Sequence, residues 1–248
     1  MGISVVVLTQ NNADTLEQTL QSVSFCDEIL VIDDHSTDET VTIAKQHNAA
    51  VYTRALDGDF ASQRNFGLSK AKHEWVLFVD SDETVSPALR EEIMEAIQNV
   101  DVNGFFLRRQ DILWGRELQH GETEKVRLLR LARVGKGKWQ RPVHEVWQVA
   151  GAVGTLTHPL HHTPHPHVAH FLADINTYST INAQYFFTRK TPASVFHIVA
   201  YPAAKFIQNY IMRRGFMDGM PGIVVALMMS FHSFLTRAKL WQLYQKHG

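Results

Sequence analysis

The 248-residue sequence predicts an α/β protein: a mixed, mostly parallel sheet flanked by helices, with a helical C-terminal extension. Three observations predict it. Strand and helix patterns alternate at short spacing through the first hundred residues, as in βαβ units. Two apolar runs, Glu28-Ile29-Leu30-Val31-Ile32 and Trp75-Val76-Leu77-Phe78-Val79, end in carboxylates: Asp33-Asp34 and Asp80-Ser81-Asp82-Glu83. After residue 170 the pattern turns helical and rich in Phe, Met, Ala and Ile. Acids at the ends of buried strands cost desolvation energy unless something positive meets them. In open α/β sheets those ends line the ligand crevice. A divalent cation, Mg²⁺ or Mn²⁺, holding a diphosphate answers that need, since both ions prefer carboxylate and phosphate oxygens.

The elements follow in order. Ser4 to Leu8 is a strand, and about Ala13 to Val23 a helix with Leu16, Leu20 and Val23 on one face and Asn12 as its cap. The second strand ends at Asp33-Asp34. Ser36-Thr37-Asp38-Glu39 has capping-box spacing and opens a helix carrying Val41, Ile43 and Ala44. Ala50 to Thr53 is a short strand, and Phe60 to Lys72 a helix with Arg64 and Asn65 near its middle. The fourth strand delivers Asp80 and Asp82, which in a regular strand would share a face with Ser81 opposite. Ser86-Pro87 starts a helix with Leu89, Ile93, Ile97 and Val100 as its apolar face. Beyond Gly104, Phe105 to Arg109, Val126 to Leu131 and Val143 to Val149 read as strands, punctuated by Gly135, Gly137, Gly151 and Gly154. A histidine- and proline-rich loop runs from His158 to His170. The expected organisation is one domain over 1–165, with halves of about 1–100 and 101–165, and a helical extension over 166–248.

Composition narrows the function. A net charge of −1 argues against a nucleic-acid binder. The single cysteine, Cys26, rules out an intrachain disulfide, fits a reducing cytoplasm and reads as a small buried or half-buried side chain. The N-terminus has no basic region or apolar core of a secretory signal. Nor does any stretch reach the roughly 18 apolar residues of a spanning helix. The nearest, Ile223 to Phe231, is cut short by His232, Arg237 and Lys239. The expected location is the cytoplasm, with peripheral seating on the inner face of the membrane as an option.

Four motifs carry a resemblance. They are Ser4-Val5-Val6-Val7-Leu8-Thr9, Val31-Ile32-Asp33-Asp34-His35-Ser36-Thr37-Asp38-Glu39-Thr40, Gln63-Arg64-Asn65-Phe66-Gly67-Leu68 and Asp80-Ser81-Asp82. In this order they resemble the family 2 inverting glycosyltransferases of the Rossmann-like GT-A fold, most of all the compact bacterial enzymes of lipopolysaccharide-core and surface-glycan assembly. The likeness is close over residues 3–100, less so to 150 and loose beyond. It makes residues 1–165 the catalytic domain, a nucleotide-sugar half followed by an acceptor half. It implies nucleotide-sugar contacts from Thr9, Asn11, Asp33, Asp34, Arg64, Asp80 and Ser81. Asp34, or else its neighbour Asp33, would accept a hydrogen bond from the uracil imide, the plain alternative being a turn-forming acidic pair. Arg64 would pair with the diphosphate or fix the acidic pair, or else be a solvated helix charge. Asp82 would ligate the cation directly, Asp80 would touch the ribose or reach the metal through water, and His162 of Pro159-Leu160-His161-His162 would join them.

Arg141-Pro142-Val143-His144-Glu145-Val146-Trp147 matches the Val-His-Glu pattern of the compact relatives. That makes Glu145, beside His and Trp, the candidate general base; pairing with Arg141 is the plain alternative. His144 divides between acceptor or phosphate contact and a structural role. Asp38 suits a helix N-terminus, and Asn65 and Gly67 close packing. A zinc site among the other histidines is disfavoured, because the prolines prevent a helical i, i+4 pair and no cysteine helps. They are expected as a solvated loop near the acceptor mouth. Asn209 to Gly219, with its Arg pair before Gly215-Phe216, reads as an anionic-lipid contact, a helical cap or a dimer face.

The resulting expectation is a metal-dependent inverting glycosyltransferase. It would move a single sugar from a nucleotide-sugar, UDP-glucose or similar, to a glycolipid or glycan acceptor such as a lipopolysaccharide core, and a homo-oligomer is an option. Polymer extrusion is disfavoured because the chain lacks the Gln-x-x-Arg-Trp motif and multiple spanning helices of processive synthases. One rival is a non-catalytic nucleotide-sugar-binding or membrane-scaffolding module. A sugar-nucleotide pyrophosphorylase is the other, and it needs a glycine-rich basic loop where this chain has Thr9-Gln10-Asn11-Asn12-Ala13.

Overall fold

Val5, Val6 and Val7 point alternately to the two faces of a sheet and are all fully buried, so β1 (Ile3–Thr9) must be covered on both sides. The computed structural model describes residues 1–122, 126–142 and 145–247. It divides into two compact units: Met1–Arg109 with Val126–His162, and Gln110–Lys125 with Thr163–Gly248. Residues 110–125, which precede the last strands of the first unit in sequence, thus group with the helical extension.

In the first unit β1 is flanked by β2 (Glu28–Asp33) and β4 (Trp75–Asp80), with β3 (Ala50–Thr53) beyond β2, all four parallel. The crossovers are helices α1 (Ala13–Ser22), α2 (Thr40–Gln46) and α3 (Phe60–Lys70). Past β4 the sheet turns antiparallel. β8 (Arg127–Arg133) pairs with β4 and with β6 (Gly104–Leu113), and β12 (Leu160–His162) and β5 (Glu83–Val85) complete the order. β11 (Val153–Thr155) also lies against β6, and β9 (Gly137–Gln140) with β10 (Val146–Val149) forms a separate hairpin. The sheet is mixed and mostly parallel around the first motifs, as expected.

Two apolar layers hold it. Leu16, Leu20 and Val23 of the α1 segment, with Leu89, Ile93 and Ile97 on and just after α4 (Pro87–Ala96), cover Val5, Val7 and Leu77. On the other face Val6, Ile32 and Phe78 meet Trp139 and Trp147 of the hairpin. Each large side chain taken out of water contributes about 1.5–3 kcal/mol. Register does the positioning: Thr9 pairs with Asp33 on one side, and Leu8 with Asp80 on the other. The acids of the two motifs therefore sit at one carboxyl edge, on either side of the end of β1.

Several local expectations change. Asn12 occupies the N-cap of α1, but its side chain makes no cap bond. The helix after Ser36 begins only at Thr40, capped by Glu39 without a side-chain bond, so the capping box is not formed. Val100 lies past the end of α4 and is 71% exposed. The expected strand from Val143 is β10, starting at Val146; Val143 and His144 lie outside the described residues.

In the second unit the end of β6 pairs with β7 (Arg116–Glu117). Helices α5 (Val168–Thr188) and α6 (Val195–Phe206) both pack against α7 (Gly219–His247). A π-helical turn, Ile207–Met212, and a 3-10 turn, Gly215–Asp218, join α6 to α7. The stretch Gly215–Lys246 has an 18-residue window of mean hydropathy 1.4, long and apolar enough by composition to cross a membrane. That corrects the expectation that no segment reaches this length, because Arg237 and Lys239 fall too late in the helix to break the window.

Candidate active site

The site begins where the loops after β1 and β2 are stapled together. Asn11, in the left-handed region at φ 51°, donates its backbone N–H to Ser36 Oγ (2.8 Å) and accepts the Thr37 N–H at Oδ1 (2.8 Å). Asp38 accepts from the N–H groups of Ala13 (3.2 Å) and Thr40 (3.0 Å). Burial pushes its pKa up, but bonds from Thr40 and Ala13 outweigh this and hold it below the usual value. Asp38 therefore braces two loops rather than simply charging a helix end. Asp33 is buried and accepts the Ser36 N–H (3.2 Å) in a tight turn. Asp34 is half-buried, its Oδ1 accepting the Leu56 N–H (3.1 Å). Thr9 Oγ1 is buried with no hydrogen-bond partner among the described residues.

The second motif is not a continuous strand. β4 stops at Asp80, the chain turns at Ser81-Asp82, and β5 starts at Glu83. Asp80 and Asp82 consequently take different partners. Ser81 is buried, its Oγ accepting from Asn12 Nδ2 and its carbonyl from Thr19 Oγ1 (3.0 Å), which is why Asn12 does not cap α1. Asp82 Oδ2 meets His162 Nε2 at 3.2 Å.

Asp80 is held by two arginines. Arg64 Nη2 donates to Oδ1 at 2.9 Å and Arg130 Nη2 to Oδ2 at 2.6 Å. Burial pushes the Asp80 pKa up, but Arg130 and Arg64 overcome it and hold the carboxyl well below the usual range. Glu83 lies behind, fully buried, its Oε2 accepting the Asp80 N–H (2.9 Å) and its Oε1 3.7 Å from Arg130 Nη2. Burial raises its pKa, with Arg130 opposing. Arg130 itself is pushed up by Asp80 and Glu83 in spite of burial.

Arg64 is 3% exposed and reaches a second acid: its Nε donates to Glu145 Oε1 at 2.9 Å. Glu145 is thus joined to Arg64, the plain alternative having been Arg141. The guanidinium lies over the Trp139 ring, 4.8 Å from its centroid. Trp139 stacks on Trp147 at 5.2 Å, and Phe78 meets both edge-on at 5.0 Å. Asn65 exchanges two bonds with the Trp139 backbone, Nδ2 to O at 2.9 Å and N to Oδ1 at 3.0 Å. A Cβ on Gly67 would run into Val6 Cγ1. Both residues serve packing, as expected, and through it fix the hairpin that carries Glu145.

Arg130 was missed in the sequence. The available signal was an arginine between Leu129 and Leu131 in a buried strand, a setting that requires an acid partner. Three atoms of this network, Arg64 Nη1, Arg130 Nε and Glu83 Oε1, are buried without a hydrogen-bond partner among the described residues. Polar atoms left this way mark a place where a ligand or water completes the bonding.

The Asp82–His162 pair fits one divalent ion. Two ligands at about 2.1 Å from an octahedral cation lie about 3 Å apart, close to the 3.2 Å seen. Asp80, with both oxygens on guanidinium groups, is poorly placed to be a direct ligand. Of the other histidines, His158 is anchored to Glu92 on α4 at 3.0 Å rather than free in a loop. In the second unit His165 and His170 both reach Asp174 Oδ2, at 3.0 and 3.1 Å. The prolines end before α5, so a helical i, i+4 pair does form there, between His170 and Asp174.

Comparison with known proteins identifies the family and the fold. The profile of the family described as Glycosyl transferase family 2 matches residues 4–148. The chain is 27% identical to the lipopolysaccharide core biosynthesis glycosyltransferase LpsC of Rhizobium meliloti (strain 1021), across 100% of this chain and 94% of that protein. It is 25% identical to an uncharacterized glycosyltransferase of Rickettsia felis, across 96% of this chain and 89% of the relative. Among solved structures, residues 1–349 of S. aureus TarS share the fold with a TM-score of 0.53 at 16% identity, covering 99% of this chain and 92% of that one.

Proposed function

The chain belongs to glycosyl transferase family 2 and is a glycosyltransferase, and from that premise we propose an inverting, metal-dependent transfer of a single sugar. The donor is a nucleotide-sugar, UDP-glucose or similar, and the acceptor a saccharide of the lipopolysaccharide-core kind. The acceptor class rests on the likeness to LpsC across the whole chain. The setting is the cytoplasm. Family membership displaces the readings of a non-catalytic module and a pyrophosphorylase.

One observation carries the mechanism: a single guanidinium, Arg64, holds both Asp80 and Glu145. Arg64 fixes Glu145 Oε1, so the acceptor hydroxyl gives its proton to Oε2. The freed oxygen bonds to the anomeric carbon as the bond from that carbon to the diphosphate oxygen breaks on the opposite face, and the configuration inverts. Asp34, more accessible than Asp33, accepts from the uracil imide, while Asp33 fixes the turn that presents it. Thr9, Asn11 and Ser81 shape the wall against the nucleotide. Asp82 and His162 would hold a divalent cation, which when bound neutralises the departing diphosphate. The imidazole ligand favours Mn²⁺ over the oxygen-seeking Mg²⁺. Asp80, committed to arginines, meets the ribose or the cation's water.

The test is a thermal-shift titration with UDP, GDP and CDP, each with Mn²⁺ or EDTA, alongside turnover of Glu145→Gln. One nucleotide should stabilise only with the cation, by about 2.7 kcal/mol at 100 times its Kd. Glu145→Gln should keep that shift and lose turnover by about 10²–10⁴. Wild-type turnover in the variant would remove Glu145 as the base, and no shift with any nucleotide would remove the donor assignment.

A further inference from the structure

The second unit turns an apolar stripe outward. Phe196, Val199, Ala203, Ile207 and Ile211 recur at spacings of three and four, one face of a continuous helical run through α6 and the π-helical turn, and all five are exposed. α6 has no fully buried residue. A helix that packs on a protein core places such a stripe inward. Here Phe196 is 73% exposed, and the stripe runs on toward Met212 and Met220, each 74% exposed.

Charge selects the occupant. Of the chain's 24 Lys and Arg and 25 Asp and Glu, eight basic residues and one acidic residue fall within 175–248, leaving 16 basic and 24 acidic before them. The near-neutral total thus hides an acidic first part and a strongly basic last part. The one acid, Asp218, is not on the surface. It is buried, accepts the backbone N–H groups of Gln119 (3.3 Å) and His120 (2.9 Å) and pairs with His120 Nδ1 (2.9 Å). Arg214, exposed and left-handed at φ 56°, and Arg213 sit at the end of the stripe. An exposed apolar stripe ending in two arginines, with Asp218 buried and the half-exposed Glu122 spent on Lys205 (2.7 Å) and Asn209 (3.0 Å), fits the headgroup region of an anionic bilayer.

We propose that the outward face of α6 and the turn after it, residues 195–220, is the seat of this protein on an anionic phospholipid bilayer. It lies in the membrane plane with Phe196, Val199, Ile207 and Ile211 among the acyl chains and Arg213 and Arg214 on lipid phosphates. α7, although apolar enough to span, is committed to the unit. Arg237 lies 4.2 Å from the Tyr201 ring centroid, and Lys239 Nζ donates to Asn176, Ser179 and Thr180 of α5. The proposal stands on the second unit alone, so a failure of nucleotide binding would leave it intact.

The full chain is tested by co-sedimentation with vesicles of phosphatidylcholine, with and without 30% phosphatidylglycerol (about a third anionic, to set a surface potential). Binding is expected only to the anionic vesicles, weakening with salt. Phe196→Asp with Ile207→Asp should cut it by about 100-fold, and Arg213→Ser with Arg214→Ser by at least about tenfold, both with unchanged melting. On the unmodified chain, hydrogen exchange over 195–220 should slow when anionic vesicles are added. This readout needs no variant to fold. No binding to anionic vesicles, binding indifferent to both pairs of changes, or unchanged exchange over 195–220 would overturn the proposal. So would a dimer by light scattering that Phe196→Asp with Ile207→Asp converts to monomer, since a second copy would then be the occupant.

Discussion

Replacing Arg64 by lysine keeps one positive charge at the centre of the network but removes the fork that lets one residue hold two acids. Arg64 makes two bonds of 2.9 Å, Nη2 to Asp80 and Nε to Glu145, from a side chain only 3% exposed. A lysine ammonium is a point donor on a flexible stem and can face one of these acids at a time. Asp80 would keep Arg130 at 2.6 Å, so Glu145 loses the more. A lost charge-assisted bond costs about 1.5–3 kcal/mol, and the stacking on Trp139 adds about 0.5–1. Arg64→Lys should therefore lower stability by roughly 2–4 kcal/mol in urea unfolding, enough to measure and within what a domain of this size tolerates. Turnover should fall further. A base freed to wander by about 1 Å costs about 10²-fold in rate, with the cation-dependent nucleotide shift preserved because Asp82 and His162 are untouched. Nucleoside diphosphate release at saturating donor and acceptor gives kcat directly. An Arg64→Lys enzyme within threefold of the wild-type kcat (about 0.7 kcal/mol), folded and destabilised as expected, would refute the view that Arg64 positions Glu145.

Other consequences are simpler to check. Asp82→Asn and His162→Ala should each weaken Mn²⁺-dependent nucleotide stabilisation by at least about tenfold, read as the Mn²⁺ concentration for half-maximal shift; an unchanged titration would move the cation elsewhere. Burial pushes the Glu28 pKa up, but bonds from Ser4 Oγ and from Lys72 outweigh it and leave it below its ordinary 4.5. A pKa depressed in the folded state contributes stability above the unfolded value that is lost as pH falls through the folded one. Glu28→Gln should thus cost about 1–3 kcal/mol at pH 7 and progressively less in acid below about pH 4. A gap that widens in acid would reverse the sign. Burial pushes the Cys26 thiol up to about 12, with Asp27 adding to it. Alkylation at pH 8 should be at least about 100-fold slower in the native chain than in urea, because the thiolate is the reacting form.

What could be read from sequence divides by range. β1, β2 and β4 were legible because their apolar runs, Val5 to Leu8, Ile29 to Ile32 and Trp75 to Val79, are short, rich in β-branched residues and closed by polar residues, and the edge that Asp33 and Asp80 share followed from parallel pairing. β5, β11 and β12 are three residues each, too short for any period, and exist because β12 pairs with β5 and β11 with β6. That pairing is what carries His162 to Asp82. Residue types at strand ends pointed to the candidate site, but their partners were not legible. Asn12 had the position of a cap and spends its side chain on Ser81, 69 residues away. Arg64 had the period of a surface helix charge and is buried, because the β9–β10 hairpin lays Trp139 over it. The outward stripe of α6 was readable as a helix and not as a surface, since periodicity gives a face without saying what it faces.

The charge balance of the network explains why a cation belongs in the proposed reaction. Asp80, Glu83 and Glu145 are met by two guanidinium groups, and burial favours the neutral form of Glu83. That much is close to self-neutralising. Arg64 and Arg130 are then spent on protein carboxylates, so a diphosphate arriving at this edge would find their charge already matched. Asp82 is the acid outside the clamp, with His162 as its partner at 3.2 Å. A nucleotide-sugar brings two negative charges beside a third, at distances where each pair of like charges costs several kcal/mol in a partly dry site. A divalent ion on Asp82 and His162 turns that repulsion into attraction. The same arithmetic separates two kinds of loss. Removing the cation should abolish donor binding, whereas Arg64→Lys should leave donor binding in place and slow the chemistry. If EDTA and Arg64→Lys instead weakened nucleotide binding alike, Arg64 would be reaching the diphosphate, and the acid clamp would give way when the donor binds.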